Sequence, residues 1–275
     1  MNTSLIVKPD DIRFTIFKQI IDKKFTAVIR VKSRQAILAG MERAVNKAIE
    51  LGLEVINAMP SGSLVRKNDE ILRVRGNPLQ IALAEDFLIG VISKASGVAT
   101  AAKKAAEISQ GRIKVVCGAW KKMPFEIKDL LREALLIGGV GIRISDKPFI
   151  YLDKNYVRMF GGIKQALDAV KHIEEREKVV QIRGEFKNVD EEALEAVISG
   201  ADIVFIDTGN INDLRIVNEV LKDKGLRGSV RIAFGGNVKI KKIPLIADAG
   251  ADIVDIGRDI IDAPLIDMTL DVEVQ

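Results

Sequence analysis

The 275-residue sequence has one cysteine and one histidine. With Cys117 alone, neither an internal disulfide nor a thiolate metal cluster can form, which fits a reducing compartment and excludes a disulfide-stapled scaffold. With His172 alone, a two-histidine metal site is excluded. Any Ser-His-Asp triad would have to use a residue inside the amphipathic stretch 163–176, where it reads as an ordinary helix-face histidine near a C-terminus. Aromatic residues are few (10 Phe, 2 Tyr, 1 Trp), and there are only 7 prolines. In a chain that is 48% hydrophobic and 29% charged, this excludes collagen-like, low-complexity and disordered classes. No apolar run is long enough to span a bilayer, and the opening MNTSLIVKPDD has no basic segment leading into an apolar one. No membrane anchor or export signal is therefore expected, and the cytoplasm is the expected location. Charge of one sign is not concentrated either: 42 basic and 38 acidic residues leave +4, spread along the chain. That balance suits small anionic ligands, and without a basic arm no nucleic-acid partner is expected.

Beyond residue 110, short β-branched runs alternate with amphipathic stretches. The runs are 114–117, 149–152, 179–182, 202–206, 230–233 and 252–256, and helical spacing recurs near 162–177, 189–199, 211–224 and 239–249. Strands alternating with helices of this length predict a parallel sheet covered by helices, and six such units point to an open barrel. An internal echo supports this, since Gly200-Ala-Asp-Ile-Val-Phe-Ile-Asp207 recurs as Gly250-Ala-Asp-Ile-Val-Asp-Ile-Gly257. The first 110 residues lack this beat. A helix is expected over 11–21, a strand over 26–31, a long helix over 35–51, short runs at 54–59 and 71–74, and a helix from Pro78 leading through Ser96-Gly-Val-Ala-Thr100 to Ile108. The expected fold is α/β: an N-terminal α+β sandwich domain over 1–110, then an open (β/α) barrel over 111–266, with the tail 267–275 packing back on the first domain.

In parallel α/β folds, ligands sit beyond the carboxyl ends of the strands. Gly235 and Gly236 end one strand and Gly257 the next, where glycine lets backbone N–H groups approach a phosphate. Glu185 and Asp207 follow neighbouring strands, and as a pair they suit sugar hydroxyls, a magnesium ion or a cationic transition state; helix capping is the plainer role for both. Lys121, Lys122, Arg143 and Lys154 lie just past the first strands, where they can converge on pyrophosphate or a carboxylate.

With these residues assembled, the chain resembles the quinolinate phosphoribosyltransferase family over nearly its full length. The match runs through Pro60-Ser-Gly-Ser-Leu-Val65, Asn68 to Gly76 and Ser96-Gly-Val-Ala-Thr100. It continues at Lys121 (the lysine of a Thr-Arg-Lys-Thr stretch), Gly138-Gly139, Arg143 (a His-Arg pair), Lys154 (a Lys-Asp-Asn-His stretch), the carboxylates Glu185 and Asp207, and the glycines at 235, 236 and 257. The resemblance implies a type II phosphoribosyltransferase barrel and phosphoribosyl pyrophosphate as co-substrate, with magnesium held at Glu185 and Asp207. Lys121, Lys154, Glu185 and Asp207 are the implied catalytic residues, and Gly235, Gly236 and Gly257 the implied phosphate site. It also implies a homodimer or higher homo-oligomer, with the segment 85–94 facing a neighbour's barrel.

The departures fall on one side of the site. The family's Glu-Arg ahead of the Ser-Gly-Val-Ala-Thr helix is Glu85-Asp86 here, and the arginine of Thr-Arg-Lys-Thr is Trp120. The His-Arg pair keeps only Arg143, and Tyr156-Val157 stands in place of asparagine-histidine. Acceptor binding thus falls to Trp120, Arg143 and Asp86. The expectation is transfer of a phosphoribosyl group to a small aromatic or N-heterocyclic acceptor other than quinolinate. The rivals are orthodox quinolinate phosphoribosyl transfer in NAD biosynthesis and a catalytically silent phosphate-ligand-binding paralogue.

Overall fold

The computed structural model describes residues 11–33 and 35–274, and its contacts divide them into two compact units. The first comprises the described parts of Met1–Lys103, Phe125–Gly138 and Asp262–Gln275, and the second Lys104–Pro124 and Gly139–Ile261.

In chain order the first unit holds α1 (Arg13–Ile16), β1 (Phe25–Val31), β2 (Gln35–Ile37), α2 (Met41–Glu50), β3 (Glu54–Ala58), β4 (Leu64–Arg66) and β5 (Glu70–Gly76). Helix α3 (Pro78–Ser109) then runs on into the second unit. Helix α4 (Lys128–Ile137), which the sequence reading did not single out, also belongs to the first unit and buries Leu130, Leu131, Ala134 and Leu135. The strand formed by the closing segment, Met268–Val272, pairs antiparallel with β1, placing Val272 opposite Ala27 and Met268 opposite Val31. The resulting antiparallel sheet also contains β5 and β3.

Two expectations for this unit need correction. The helix expected over 11–21 is only the single turn α1, which buries none of its residues; so short a helix with no buried face does not propagate. The long helix expected over 35–51 splits into β2 and α2. Its break is Gly40, at φ 80°, where a Cβ would lie 3.1 Å from Ala95 Cβ and 3.2 Å from the Val91 carbonyl. The N–H groups of Ile37 and Ala39 donate to Thr100 Oγ1 and Ser96 Oγ (2.9 and 3.0 Å), which removes them from any helical ladder. As expected, α3 runs without a break through Ser96-Gly97, and glycine is required at 97 because the Pro264 carbonyl oxygen passes 2.2 Å from where a Cβ would stand.

The second unit carries β6 (Lys114–Val116), β7 (Phe149–Leu152), α5 (Lys154–Phe160), α6 (Ile163–Val170), β8 (Glu177–Ile182), α7 (Val189–Ile198), β9 (Ile203–Ile206), α8 (Ile211–Asp223), β10 (Arg231–Phe234), α9 (Ile243–Asp248), β11 (Ile253–Asp255) and α10 (Arg258–Ile261). Every run read as a strand is a strand. They pair in parallel in the order β6-β11-β10-β9-β8-β7, and Gly141 adds a parallel bridge to Val116 at the β6 edge. This is the open α/β barrel sheet that the alternating pattern predicts. The helix expected over 162–177 ends at Val170, and exposed Lys171 and His172 follow it in a turn before β8 begins. The register puts Val179, Ile203 and Arg231 in one row and Gln181, Phe205, Ala233 and Ile253 in the next. Because side chains alternate along a strand, these positions share one face. That face buries Val116, Val179, Ile203, Phe205, Ala233 and Ile253 together, with Phe149 and Tyr151 packed against them.

Candidate active site

Following the same alternation toward the carboxyl ends of the strands brings polar residues onto the inner face. Beyond Val179 come Gln181 and Arg183, beyond Phe205 comes Asp207, and beyond Ile253 come Asp255 and Gly257. Gln181 is a buried amide with both ends engaged. Its Oε1 accepts from the Lys154 backbone N–H (2.9 Å) and its Nε2 donates to Asp207 Oδ2. Asp255 Oδ1 accepts from the Gly118 N–H at 2.9 Å. Both carboxyls are pushed above the usual carboxylate range by burial. The Asp207 charge raises Asp255 further, and Lys121 and Lys122 oppose the rise. For Asp207 the opposing groups are Arg183, Gln181, Lys122 and Lys154.

Cations surround this acidic pair. Lys121, in a 3₁₀ turn over Ala119–Lys122, holds its Nζ 5.6 Å from the Tyr151 ring centroid and 5.9 Å from that of Trp120. Burial, followed by the charges of Asp207 and Asp255, keeps the Tyr151 hydroxyl protonated far above its ordinary range. Arg183 Nη1 lies 3.8 Å from Asp207 Oδ2, and its Nε lies 3.7 Å from Glu185 Oε1. Glu185 itself is gripped at both oxygens by Arg158, at 2.8 Å each, and this holds its carboxyl below the ordinary range.

The loop after β8 is organised by one buried carboxylate. Glu192, 1% exposed in the first turns of α7, accepts the N–H groups of Arg183 (3.0 Å) and Gly184 (2.7 Å) on Oε2, and of Glu185 and Phe186 (both 2.9 Å) on Oε1. Four consecutive amides converging on one anion fix where Arg183 and Glu185 leave the strand. On the neighbouring strands, Gly209 and Gly236 cross at backbone contact. A Cβ on Gly209, at φ 69°, would stand 2.1 Å from the Gly236 carbonyl oxygen. Asp259 ties the loop after Gly236 to α10, accepting from Lys239 Nζ (2.7 Å) and the Ile240 N–H (3.0 Å).

A fold of this kind with acids and lysines at one strand end is compatible with several reactions, and sequence comparison narrows them. The family described as "Quinolinate phosphoribosyl transferase, C-terminal domain" matches residues 98–271, and its N-terminal domain counterpart matches 11–96. The chain belongs to this family. A probable nicotinate-nucleotide pyrophosphorylase (carboxylating) of Methanothermobacter thermautotrophicus is 25% identical over 261 residues, covering 92% of this chain and 91% of its own. The human nicotinate-nucleotide pyrophosphorylase (carboxylating) is 26% identical over 225 residues, covering 80% and 73%. Among solved structures, the nicotinate-nucleotide pyrophosphorylase of Pyrococcus furiosus superposes with a TM-score of 0.80 at 25% identity, over 99% of this chain and 79% of that one. As a member of the quinolinate phosphoribosyl transferase family, the chain is an enzyme of the phosphoribosyltransferase class.

Of the residues singled out in the sequence, the structure brings Lys121, Lys154, Glu185 and Asp207 to one end of the second unit. Glu185 and the other residues singled out have partners or surroundings of their own. Glu185 has both oxygens committed to Arg158, so the second inward carboxylate beside Asp207 is Asp255. The Gly235 N–H donates to the Ile206 carbonyl at 2.9 Å and is not available to a phosphate. A Cβ at Gly235 would strike the Phe205 ring at 2.7 Å, so space is what requires glycine there. Gly236 is left-handed at φ 102° and lies against Gly209, whereas a Cβ on Gly257 would make only ordinary contact, 3.5 Å from Ala119. Trp120 is half-buried and donates from Nε1 to the Ile142 carbonyl at 3.3 Å. The Arg143 guanidinium stacks 5.2 Å over Phe149, the first residue of β7. Its charge acts on Asp146, which pairs with Lys114 at the start of β6. Arg143 thus sides with the amino ends of the strands, away from the acidic pair. Asp86 belongs to the first unit and pairs with Arg13 at 2.6 Å. Cys117 is buried, and burial pushes its thiol up to about 12.

The sequence reading missed Asp255, Gln181, Arg183, Arg158 and Glu192. For Asp255 a signal was present, because the internal echo sets it opposite Phe205, putting a carboxylate at a core position of the repeat. Gln181 and Arg183 share the inward phase of Val179.

Proposed function

We propose that this chain transfers a phosphoribosyl group from phosphoribosyl pyrophosphate to a small aromatic or N-heterocyclic acceptor other than quinolinate, releasing pyrophosphate. The observation that carries the reading is the inward pair Asp207 and Asp255, set two strands apart and ringed by Lys121, Lys122, Lys154 and Arg183. As pyrophosphate leaves, positive charge grows on the ribose. Two carboxylates oriented beforehand by Gln181 and by the Gly118 N–H stabilise that charge without reorganising. The lysines on the rim take up the charge of the leaving pyrophosphate.

Among the described residues, no group of three or more His, Cys, Asp or Glu forms a metal cage. Magnesium is commonly held by one or two carboxylates plus substrate phosphates, and Asp207 with Asp255 fit that donor set better than Glu185. Bound there, the ion would neutralise charge on the pyrophosphate.

Adjacent carboxylates are best recognised by bidentate arginine forks. At the three positions where the family resemblance places arginines, this chain has Asp86 paired with Arg13, Trp120 as an apolar wall, and Arg143 stacked on Phe149. Each lost charged hydrogen bond costs about 1.5–3 kcal/mol, so two weaken quinolinate recognition by roughly two to four decades. The second reading, orthodox quinolinate transfer, is favoured by the names of the relatives. A steady-state assay of pyrophosphate release over a panel of acceptors separates the two. Quinolinate turnover with kcat/KM above about 10⁴ M⁻¹ s⁻¹ would establish the second reading and overturn the first.

A further inference from the structure

Two arginines at the mouth of the second unit are held by acids: Arg158 grips Glu185, and Arg183 is in ion-pair range of Glu185 and Asp207. Lys121 is held differently. Its Nζ lies 5.9 Å from the Trp120 ring centroid and 5.6 Å from that of Tyr151, both within the ~6 Å reach of a cation–π contact. Each ring is fixed by a contact of its own. The indole donates from Nε1 to the Ile142 carbonyl at 3.3 Å, and Tyr151 packs on the buried face of the sheet with its centroid 6.2 Å from that of Phe205. The backbone carrying Lys121 is anchored as well, since its N–H donates to the Gly118 carbonyl (3.2 Å) and the Gly118 N–H donates to Asp255. The Lys121 charge in turn acts on the Asp255 carboxyl. An exposed lysine samples many rotamers, and ordering it costs entropy. Ring faces order this one without cancelling its charge, because a ring quadrupole attracts a cation but does not neutralise it as a carboxylate does.

We propose that Trp120 and Tyr151 are positioning residues for Lys121, holding its ammonium beside the acidic pair so that it meets the departing pyrophosphate with its full charge. This deepens the function proposed above and rests on it. It also gives a role to the tryptophan at 120. Where the family resemblance places an arginine on the acceptor side, this chain has an aromatic ring under the lysine that follows it. The exchange thus moves position 120 from the acceptor to the leaving group.

Two measurements on the full-length protein test this: calorimetry with inorganic pyrophosphate and magnesium, and fluorescence, for which Trp120 is the chain's single tryptophan. Trp120→Leu should weaken pyrophosphate about 2- to 5-fold, the worth of one exposed cation–π contact, and Trp120→Phe, which keeps a ring, should restore most of the affinity. Removing both rings in Trp120→Leu/Tyr151→Leu should weaken it about 5- to 30-fold. In a Lys121→Met background, Trp120→Leu should have no further effect, because the ring acts only through the ammonium. Lys121→Met should also shift the Trp120 emission of the ligand-free protein, and this decides the matter if the leucine variants melt at a much lower temperature. Four results would overturn the proposal: unchanged affinity in Trp120→Leu, an equal loss with and without Lys121, a double variant no weaker than Trp120→Leu, or the same emission with and without the Lys121 ammonium. A wild type that binds neither pyrophosphate nor phosphoribosyl pyrophosphate would remove the phosphoribosyl reading, and the ligand-free emission would still decide whether Trp120 holds Lys121.

Discussion

Asp255 is a carboxyl group that the fold keeps at a cost. Burial raises its pKa and the Asp207 charge adds to the rise, so between the ordinary carboxylate pKa and the raised one the folded state binds more protons than the unfolded. Stability attributable to this group is therefore present below the ordinary value and is lost as pH rises through that window. Asp255→Asn keeps an oxygen acceptor for the Gly118 N–H and removes the charge. It should raise Tm at pH 7 by roughly 2–4 °C, the shift that about 1 kcal/mol produces in a chain of this size, with the advantage shrinking toward pH 4. The same variant should lower kcat by roughly 10²-fold or more, the scale of losing one preorganised electrostatic contact. A melting series across pH 4–8 beside steady-state rates checks both. A wild-type Tm equal to that of the variant at every pH would show that the carboxyl carries no such penalty.

Between strand and helix, two devices shape the mouth of the second unit. In the β8–α7 loop, Glu192→Gln replaces one carboxylate oxygen with an amide donor facing two of the four N–H groups. Leaving buried donors unsatisfied costs about 1–3 kcal/mol each, so hydrogen exchange at 183–186 should accelerate while exchange in β9 and β10 stays slow. Unchanged exchange in that segment would remove Glu192 from its positioning role. The Gly209–Gly236 crossing is the second device, and Gly225 provides a control for it. Both Gly209 and Gly225 sit at φ 69°, but a Cβ on Gly225 meets nothing within 4 Å. Alanine at Gly225 should cost only the left-handed strain of about 1–2 kcal/mol. Alanine at Gly209 should cost more and also weaken phosphoribosyl pyrophosphate binding, because the loops after β9 and β10 must part. Urea titration of both variants, with calorimetry on Gly209→Ala, reads the difference.

For the molecule as a whole, family membership leads us to expect a homodimer, in which the segment 85–94 of one chain faces the barrel of its partner. Light scattering at micromolar concentration should give twice the chain mass, and a fully active monomer would refute this. No helix among the described residues is long and apolar enough to cross a membrane.

The sequence by itself determined the parallel sheet, since runs such as 179–182 and 203–206, buried throughout, are short, β-branched and apolar and alternate with helical stretches. It also placed Lys121, Lys154, Glu185 and Asp207 correctly just beyond strand ends, because a strand and the residue that follows it are local in the chain. What each of these residues does there depends on partners far away in sequence. Glu185 is claimed by Arg158, Gln181 joins Lys154 to Asp207, and Arg143 stacks on Phe149. Each pairing depends on the parallel register or on how a loop returns, which period-two alternation does not encode. Alternation states which face Gln181, Arg183 and Asp255 share; only the tertiary packing of the second unit decided that this face ends in a pair of acids with Arg183 in ion-pair range of one of them.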